Sequence, residues 1–311
     1  MTPADITLLK RFRTRTVLTM GTAESVLVFR DAMFSLGWTH TYLTHIILVA
    51  VLMHDRYLSS PAQPYPSTKE AFHHYHGTAI LNSMLFLPLV AGERDAMWGT
   101  AALLGAIRIA SLEATNAEDC WPLKPPDLND LDWLRMSDGK KEVWRLAEPL
   151  REESIWRCSL AHMYASSPVV SVHPPGSEVH RLTALIGELY SFAEGNPPDP
   201  EDPYRVAASL VTRLLPMECT HSTIMHFLSF IGHIDPAFRV LLHEKDARAL
   251  LLLAWWYAMV VPYEQWWLRK RVRLECQAIC IWLGREHAPY SLVGRMLEFP
   301  RARSGLLARK S

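Results

Sequence analysis

Histidines are the side chains in this sequence whose types and spacing come nearest to chemistry. His45 and His54 bracket an apolar run, YLTHIILVAVLMHDRY, and His54 is followed by Asp55 and Arg56. An imidazole can bind a metal ion, move a proton or polarise a carbonyl. On one helix, a nine-residue separation turns the two rings to opposite sides and sets them roughly 13 Å apart along the axis. They cannot share a metal ion, so each must act alone. His54, beside an acid at the end of a helix too apolar to face water, is the better candidate for a hydrogen-bond donor in a pocket. A second group, His73, His74 and His76, places His73 and His76 on one helix face with Glu70 a turn earlier. No second acid-histidine pair at helical spacing completes a ligand set, and no metal is expected.

Other chemistry has little support. The DLND stretch, Asp127 to Asp130, resembles an aspartate-rich magnesium box, but it follows Pro125-Pro126 and lacks a downstream partner constellation, so a capping role is expected. There is no glycine-rich phosphate loop, nucleophile elbow or zinc-protease signature. No cofactor is expected. The five cysteines are scattered and odd in number, which argues against a disulfide framework; Cys276 and Cys280 share a helix face and read as core. Acidic and basic residues balance, so no global field favours nucleic acid, although basic clusters lie at Lys10 to Arg15, Arg269 to Arg273 and in the tail from Arg301.

Helices must position these groups, because the apolar periodicity is helical nearly throughout. The stripes cover residues 8–18, 26–33 and 42–57. A helix capped by Ser67 with Glu70 at the third position runs to about Pro88, and another follows from Gly92 to about Ala114. A proline-rich, acidic connector follows, then a helical segment from Trp133 interrupted at Gly139. The run SSPVVSVHPPG, residues 166–176, offers at most an edge strand. Further helices are expected over Leu182 to Glu194, Tyr204 to Leu215, His221 to His233, Ala247 to Val261 and Tyr263 to Glu286. The fold class is therefore all-α, a multi-helix orthogonal bundle in a single domain over 1–300, with a basic, disordered tail over 301–311. No heptad run is visible. The start of the sequence has no apolar segment of a signal peptide, and the longest charge-free apolar run, Ala249 to Val261, is shorter than the about 20 residues a bilayer demands. A cytoplasmic protein without a membrane span is the expectation.

Eleven tryptophans, several doubled, suit a packed helical core or a pocket for an oily ligand equally. In the pocket case the candidate donors are His54, His76 and Tyr257. Asn82 and Glu113 would orient the ligand, and Trp98, Trp255, Trp256 and Trp267 would form the walls. Such a cavity could hold a hydrophobic terpenoid, sterol or polyketide and hasten a cyclisation or cycloaddition by orientation, without a cofactor.

Whole segments also resemble a known family. LTHIILVAVLMH, YHGTAILNSML, ERDAMWGTAALLGAI, the block from WPLKP to KKEVWRL, and HEKDARALLLLAWWYAMV are similar to the regulatory half of fungal zinc-cluster transcription factors of the sterol-uptake-control type. His45 and His54 fall on that family's two histidines. The resemblance implies an all-helical domain, often paired through helices, with an apolar sterol pocket in some members and a six-cysteine DNA-reading module. This sequence has no cysteine before Cys120 and no C-x-x-C, so direct DNA binding is not expected. Two functions compete: a cofactor-free cyclase of secondary metabolism, cytoplasmic, and a regulator or lipid sensor without its own DNA reader, nuclear and possibly a homodimer.

Overall fold

The computed structural model describes residues 2–22, 25–59, 65–165, 176–190 and 201–306. All regular structure among the described residues is helical, as the periodicity requires. The expected edge strand over 166–176 lies almost wholly outside the described residues. Two compact units form. Unit 1 comprises residues 1–113, 133–167 and 265–268, and unit 2 comprises 114–132, 168–264 and 269–311.

Unit 1 begins with α1 (Pro3–Arg11). Thr2 caps it: its hydroxyl accepts from the Asp5 N–H at 3.2 Å, and its own N–H donates to the Asp5 carboxylate at 2.9 Å. Proline at the first helical position lacks the N–H that a helix start cannot use. A π-helical stretch (Phe12–Thr16) and a 3₁₀ turn (Val17–Thr19) lead to α2 (Val26–Gly37) and α3 (Thr41–Ser59). α3 is buried along most of its length, as a run apolar on nearly all sides must be. α4 (Thr68–Met84) lies against it, followed by α5 (Ala91–Ala110), α6 (Asp132–Ala147) and α7 (Arg157–Ala165).

The closeness of α3 and α4 is set by Gly77. A Cβ there would sit 2.6 Å from Ile46 Cδ1, 2.9 Å from Ile46 Cγ1 and 3.0 Å from His45 Cβ. Gly77→Ala should therefore destabilise the protein by about 1–2 kcal/mol in urea unfolding, even though alanine favours a helix by about 1 kcal/mol over glycine. Unchanged or increased stability would show that the helices are not in contact at this point. Gly99 has a similar role, with Trp156 and Met33 at 3.1 and 3.2 Å from a Cβ, whereas Gly105 has open space.

Three local expectations require correction. The Ser67 hydroxyl accepts from the Glu70 N–H at 3.1 Å, but the Glu70 carboxylate turns to Arg56 at 2.8 and 3.2 Å instead of closing a capping box. Gly139 does not interrupt α6, because an exposed glycine with free space costs only helix propensity. The tail is ordered further than expected: in unit 2, α15 (Glu298–Ser304) includes Arg301 and Arg303 and is held by Gln277 donating to the Ser304 carbonyl at 2.8 Å.

Unit 2 contains α8 (Glu178–Tyr190), α9 (Arg205–Leu214), α10 (Ile224–His233), α11 (Pro236–His243), α12 (Ala247–Val260), α13 (Trp266–Glu286) after its first turn, α14 (Leu292–Met296) and α15. α12 is its central helix. Every residue from Ala249 to Val260 is buried, and Asp246 caps the helix by accepting from the Arg248 and Ala249 N–H groups. Among the described residues, no helix is long and apolar enough to cross a membrane.

Candidate functional site

α3 carries its two histidines on opposite sides, as the spacing predicts. His54 is 4 % exposed, stacks on Trp266 at 5.0 Å with 8° between planes, and bonds the Thr16 hydroxyl through Nδ1 at 3.2 Å. Burial, aided by nearby Arg15 and opposed by Asp55, pushes its pKa down to about 4. The ring is neutral at pH 7 and forms part of a packed wall. Asp55 faces Arg11 and Arg15, in ion pairs with both.

At the other end, His45 Nδ1 lies 2.8 Å from His73 Nδ1, so one nitrogen must hold a proton and the other a lone pair. His73 is driven down to about 4, chiefly by burial and next by His45, while burial and His76 lower His45. Asp5 sits 3.9 Å from His73 Nε2 and 3.0 Å from Lys69. Burial alone would raise the Asp5 carboxyl; bonds from Thr2 and Lys69 outweigh it and hold the group at about 2. His76 is half-buried, with the rings of Phe72 at 4.2 Å, Tyr75 at 5.4 Å and His45 at 5.7 Å around it. Among the described residues, no group of three His, Cys, Asp or Glu side chains converges as metal ligands.

Asn82 is exposed on the outer face of α4, and Glu113 is exposed beyond the end of α5. Trp267 is 5 % exposed and donates to the Thr19 carbonyl at 3.0 Å, while Trp266 donates to the Thr19 hydroxyl at 2.9 Å. All these residues, with Trp98, belong to unit 1.

Trp255, Trp256 and Tyr257 are in unit 2, all but fully buried. Their polar atoms have protein partners: Trp255 donates to the Met296 carbonyl at 3.0 Å, Trp256 to the Phe227 carbonyl at 2.7 Å, and the Tyr257 hydroxyl to the Glu275 carboxylate, which also pairs with Arg271. Burial raises both the Tyr257 hydroxyl and the Glu275 carboxyl. Trp256 stacks on Phe230 at 5.4 Å. Rings so engaged act as core, and the described structure gathers no ligand-facing set from the three. In the DLND stretch, Asp127 accepts from the Asn129 N–H and Asp130 from the Asp127 N–H, so both acids fold onto their own backbone.

Two features escape a reading by residue type. The first is the outer face of α4. The inward positions Glu70, His73, Gly77 and Leu81 are buried, while Phe72, Tyr75, Ala79, Asn82 and Phe86, on and just beyond the helix, are exposed. Steps of three, four, three and four residues draw one stripe, a short heptad-like seam opposite the buried face. Phe72, Tyr75 and Phe86 are 51, 68 and 88 % exposed, and none of the five stripe residues is charged. The second feature is a niche on α5 and α6. Trp98, 4 % exposed, meets Trp144 edge-on at 4.9 Å, and the Lys140 ammonium lies 5.1 Å over the Trp98 ring. The Trp98 indole N–H has no hydrogen-bond partner among the described residues. Trp144 also lines an open surface groove of about 430 Å³ with Arg145, Glu148, Pro149, Leu150 and Arg151.

No protein-family model matches this chain, and no curated protein matches it.

Proposed function

We propose that this protein is a helical regulatory module that works by pairing with a second copy of itself through the outer face of α4. The observation that carries the reading is the charge-free aromatic stripe. At ~200 Å² per aromatic side chain, the exposed parts of Phe72, Tyr75 and Phe86 alone present about 400 Å². Exposed Leu87 and Val90 follow in the chain and, counted with these rings, bring the exposed apolar area to roughly 600 Å² per copy, or about 1,200 Å² for a pair, the lower edge of a stable interface. An exposed apolar area of that size stands at the upper end of the about 300–600 Å² that the largest patch on a monomer reaches, and such patches are often functional. A two-fold axis through the stripe brings each ring against apolar atoms, with Asn82 able to bond its own copy and set register. The likeness of the sequence blocks to a transcription-factor regulatory half supports the regulatory role.

Tyr75→Glu combined with Phe86→Glu tests this. The unaltered chain is expected at twice its 35.5 kDa in sedimentation, and the double variant at 35.5 kDa with the same helical circular dichroism. Equal masses for the two proteins would refute pairing through this face.

A second reading, cofactor-free cyclisation of a terpenoid or polyketide, is favoured by one specific observation, the Trp98–Trp144–Lys140 niche with its unpartnered indole N–H. Quenching of tryptophan fluorescence by added hydrophobic carbonyl compounds, and its loss in Trp98→Phe or Trp144→Phe, would support that reading. No quenching in the unaltered protein would remove it.

A further inference from the structure

Lys140 has an unusual setting for a lysine. Its ammonium lies on the face of Trp98, and no carboxylate among the described residues pairs with it. Trp144, one turn further along the same face of α6, meets the Trp98 ring edge-on at 4.9 Å, so the amine lies on an aromatic surface. Burial lowers its pKa, because the charged form loses water and gains only ring attraction in return. Lys141, the next residue, is exposed on the same helix. The ring beneath the amine carries a donor of its own with no acceptor, a group that a bound oxygen atom would satisfy. Trp144 itself also borders an open surface groove.

We propose that Lys140 is a nucleophilic amine that forms a reversible imine with an apolar aldehyde or ketone held against Trp98 and Trp144. The Nζ lone pair attacks the carbonyl carbon as the C=O π electrons move to oxygen, and a proton passes from the nitrogen to that oxygen, giving a carbinolamine. The carbinolamine oxygen, once protonated, leaves as water while the nitrogen lone pair forms the C=N bond. Hydrolysis reverses both steps, and no oxidant or reductant is consumed. A protonated imine conjugated to an alkene draws electrons from it, which is the activation that a cyclisation or cycloaddition would use. The inference rests on the small-molecule reading of the niche and is independent of pairing through α4.

The probe is cinnamaldehyde with sodium cyanoborohydride at pH 7, which fixes any imine as a secondary amine for peptide mass mapping of the full chain. Lys140 is expected to be labelled several-fold faster than Lys141, because burial favours its neutral, nucleophilic form. Lys140→Arg, which keeps a cation over Trp98, should lose this fast label while leaving Lys141 labelling and helicity unchanged. Equal rates at the two lysines, or slower labelling of Lys140, would overturn the proposal. If cinnamaldehyde quenches tryptophan fluorescence but leaves Lys140 unlabelled, the amine chemistry fails while the binding niche stands. If it neither quenches nor labels, both fail.

Discussion

Acidification from pH 7 to pH 4.5 should lower the unfolding free energy by about 3–5 kcal/mol, through two histidines. The native pKa values of His54 and His73 are near 4, against the ordinary 6.5 that an unfolded chain restores. For both groups burial is the main cause. The native rings therefore resist protonation where the unfolded ones accept it, so the unfolded state takes up protons as the pH falls. Stability is intact above pH 6.5 and is lost progressively between 6.5 and 4. Asp5, near 2 in the folded protein, is still charged in this window and adds its own loss only at lower pH. Urea unfolding followed by circular dichroism at several pH values should give a slope of about two protons from these two rings, to which His45, also lowered by burial, adds. His54→Gln, which can still bond Thr16, should remove about half of the slope. A flat profile from pH 7 to 4.5 would mean that neither ring is buried in the neutral form.

Asp95→Ala should cost about 3–5 kcal/mol, the range for breaking a buried charged network from one side. Asp95 is 6 % exposed on α5, where it accepts from the Ser154 hydroxyl at 2.9 Å and pairs with Arg151 at 2.7 Å. Its backbone carbonyl accepts from the Trp156 indole at 2.9 Å. The same Ser154 oxygen accepts from the Trp156 N–H at 3.2 Å, and the buried Trp156 ring packs on Phe29 at 4.8 Å. Removing the carboxylate leaves the Arg151 cation, 12 % exposed, without this counter-charge and Ser154 without its acceptor. Asp95→Asn keeps an oxygen for Ser154 and should cost less. A loss below about 1 kcal/mol for Asp95→Ala would place this acid in water, since exposed ion pairs contribute that little.

The helical architecture was legible because burial on one face leaves a 3.6-residue pattern, and the opposed faces of His45 and His54 follow from the same geometry. The candidate site was much less legible. An indole reads alike as cavity wall and as core, and what separates them is the destination of its N–H. For Trp255 and Trp256 that destination is a backbone carbonyl 41 and 29 residues away in sequence, which no local pattern encodes. The α4 stripe stayed hidden for a different reason. With apolar residues on both the inner and the outer face, the amphipathic contrast cancels, and a five-position seam is too short to show as a heptad run. Lys140 and Trp98 meet across 42 residues with no motif to mark either. Gly139 and Glu70 show the limits of local rules, since a breaker was absorbed by its helix and a capping acid was drawn away by Arg56.

Ala79 is the midpoint of the stripe from Phe72 to Phe86, and in the parallel pairing that lets Asn82 bond its own copy a two-fold axis brings Ala79 against its own copy as well. The most direct test is disulfide formation by Ala79→Cys in a Cys158→Ser background, which removes the exposed native thiol. Pairing through α4 predicts rapid oxidation to a covalent dimer, far faster than for Glu153→Cys, an exposed control off the stripe. Cross-linking at Ala79 no faster than at Glu153 would contradict it.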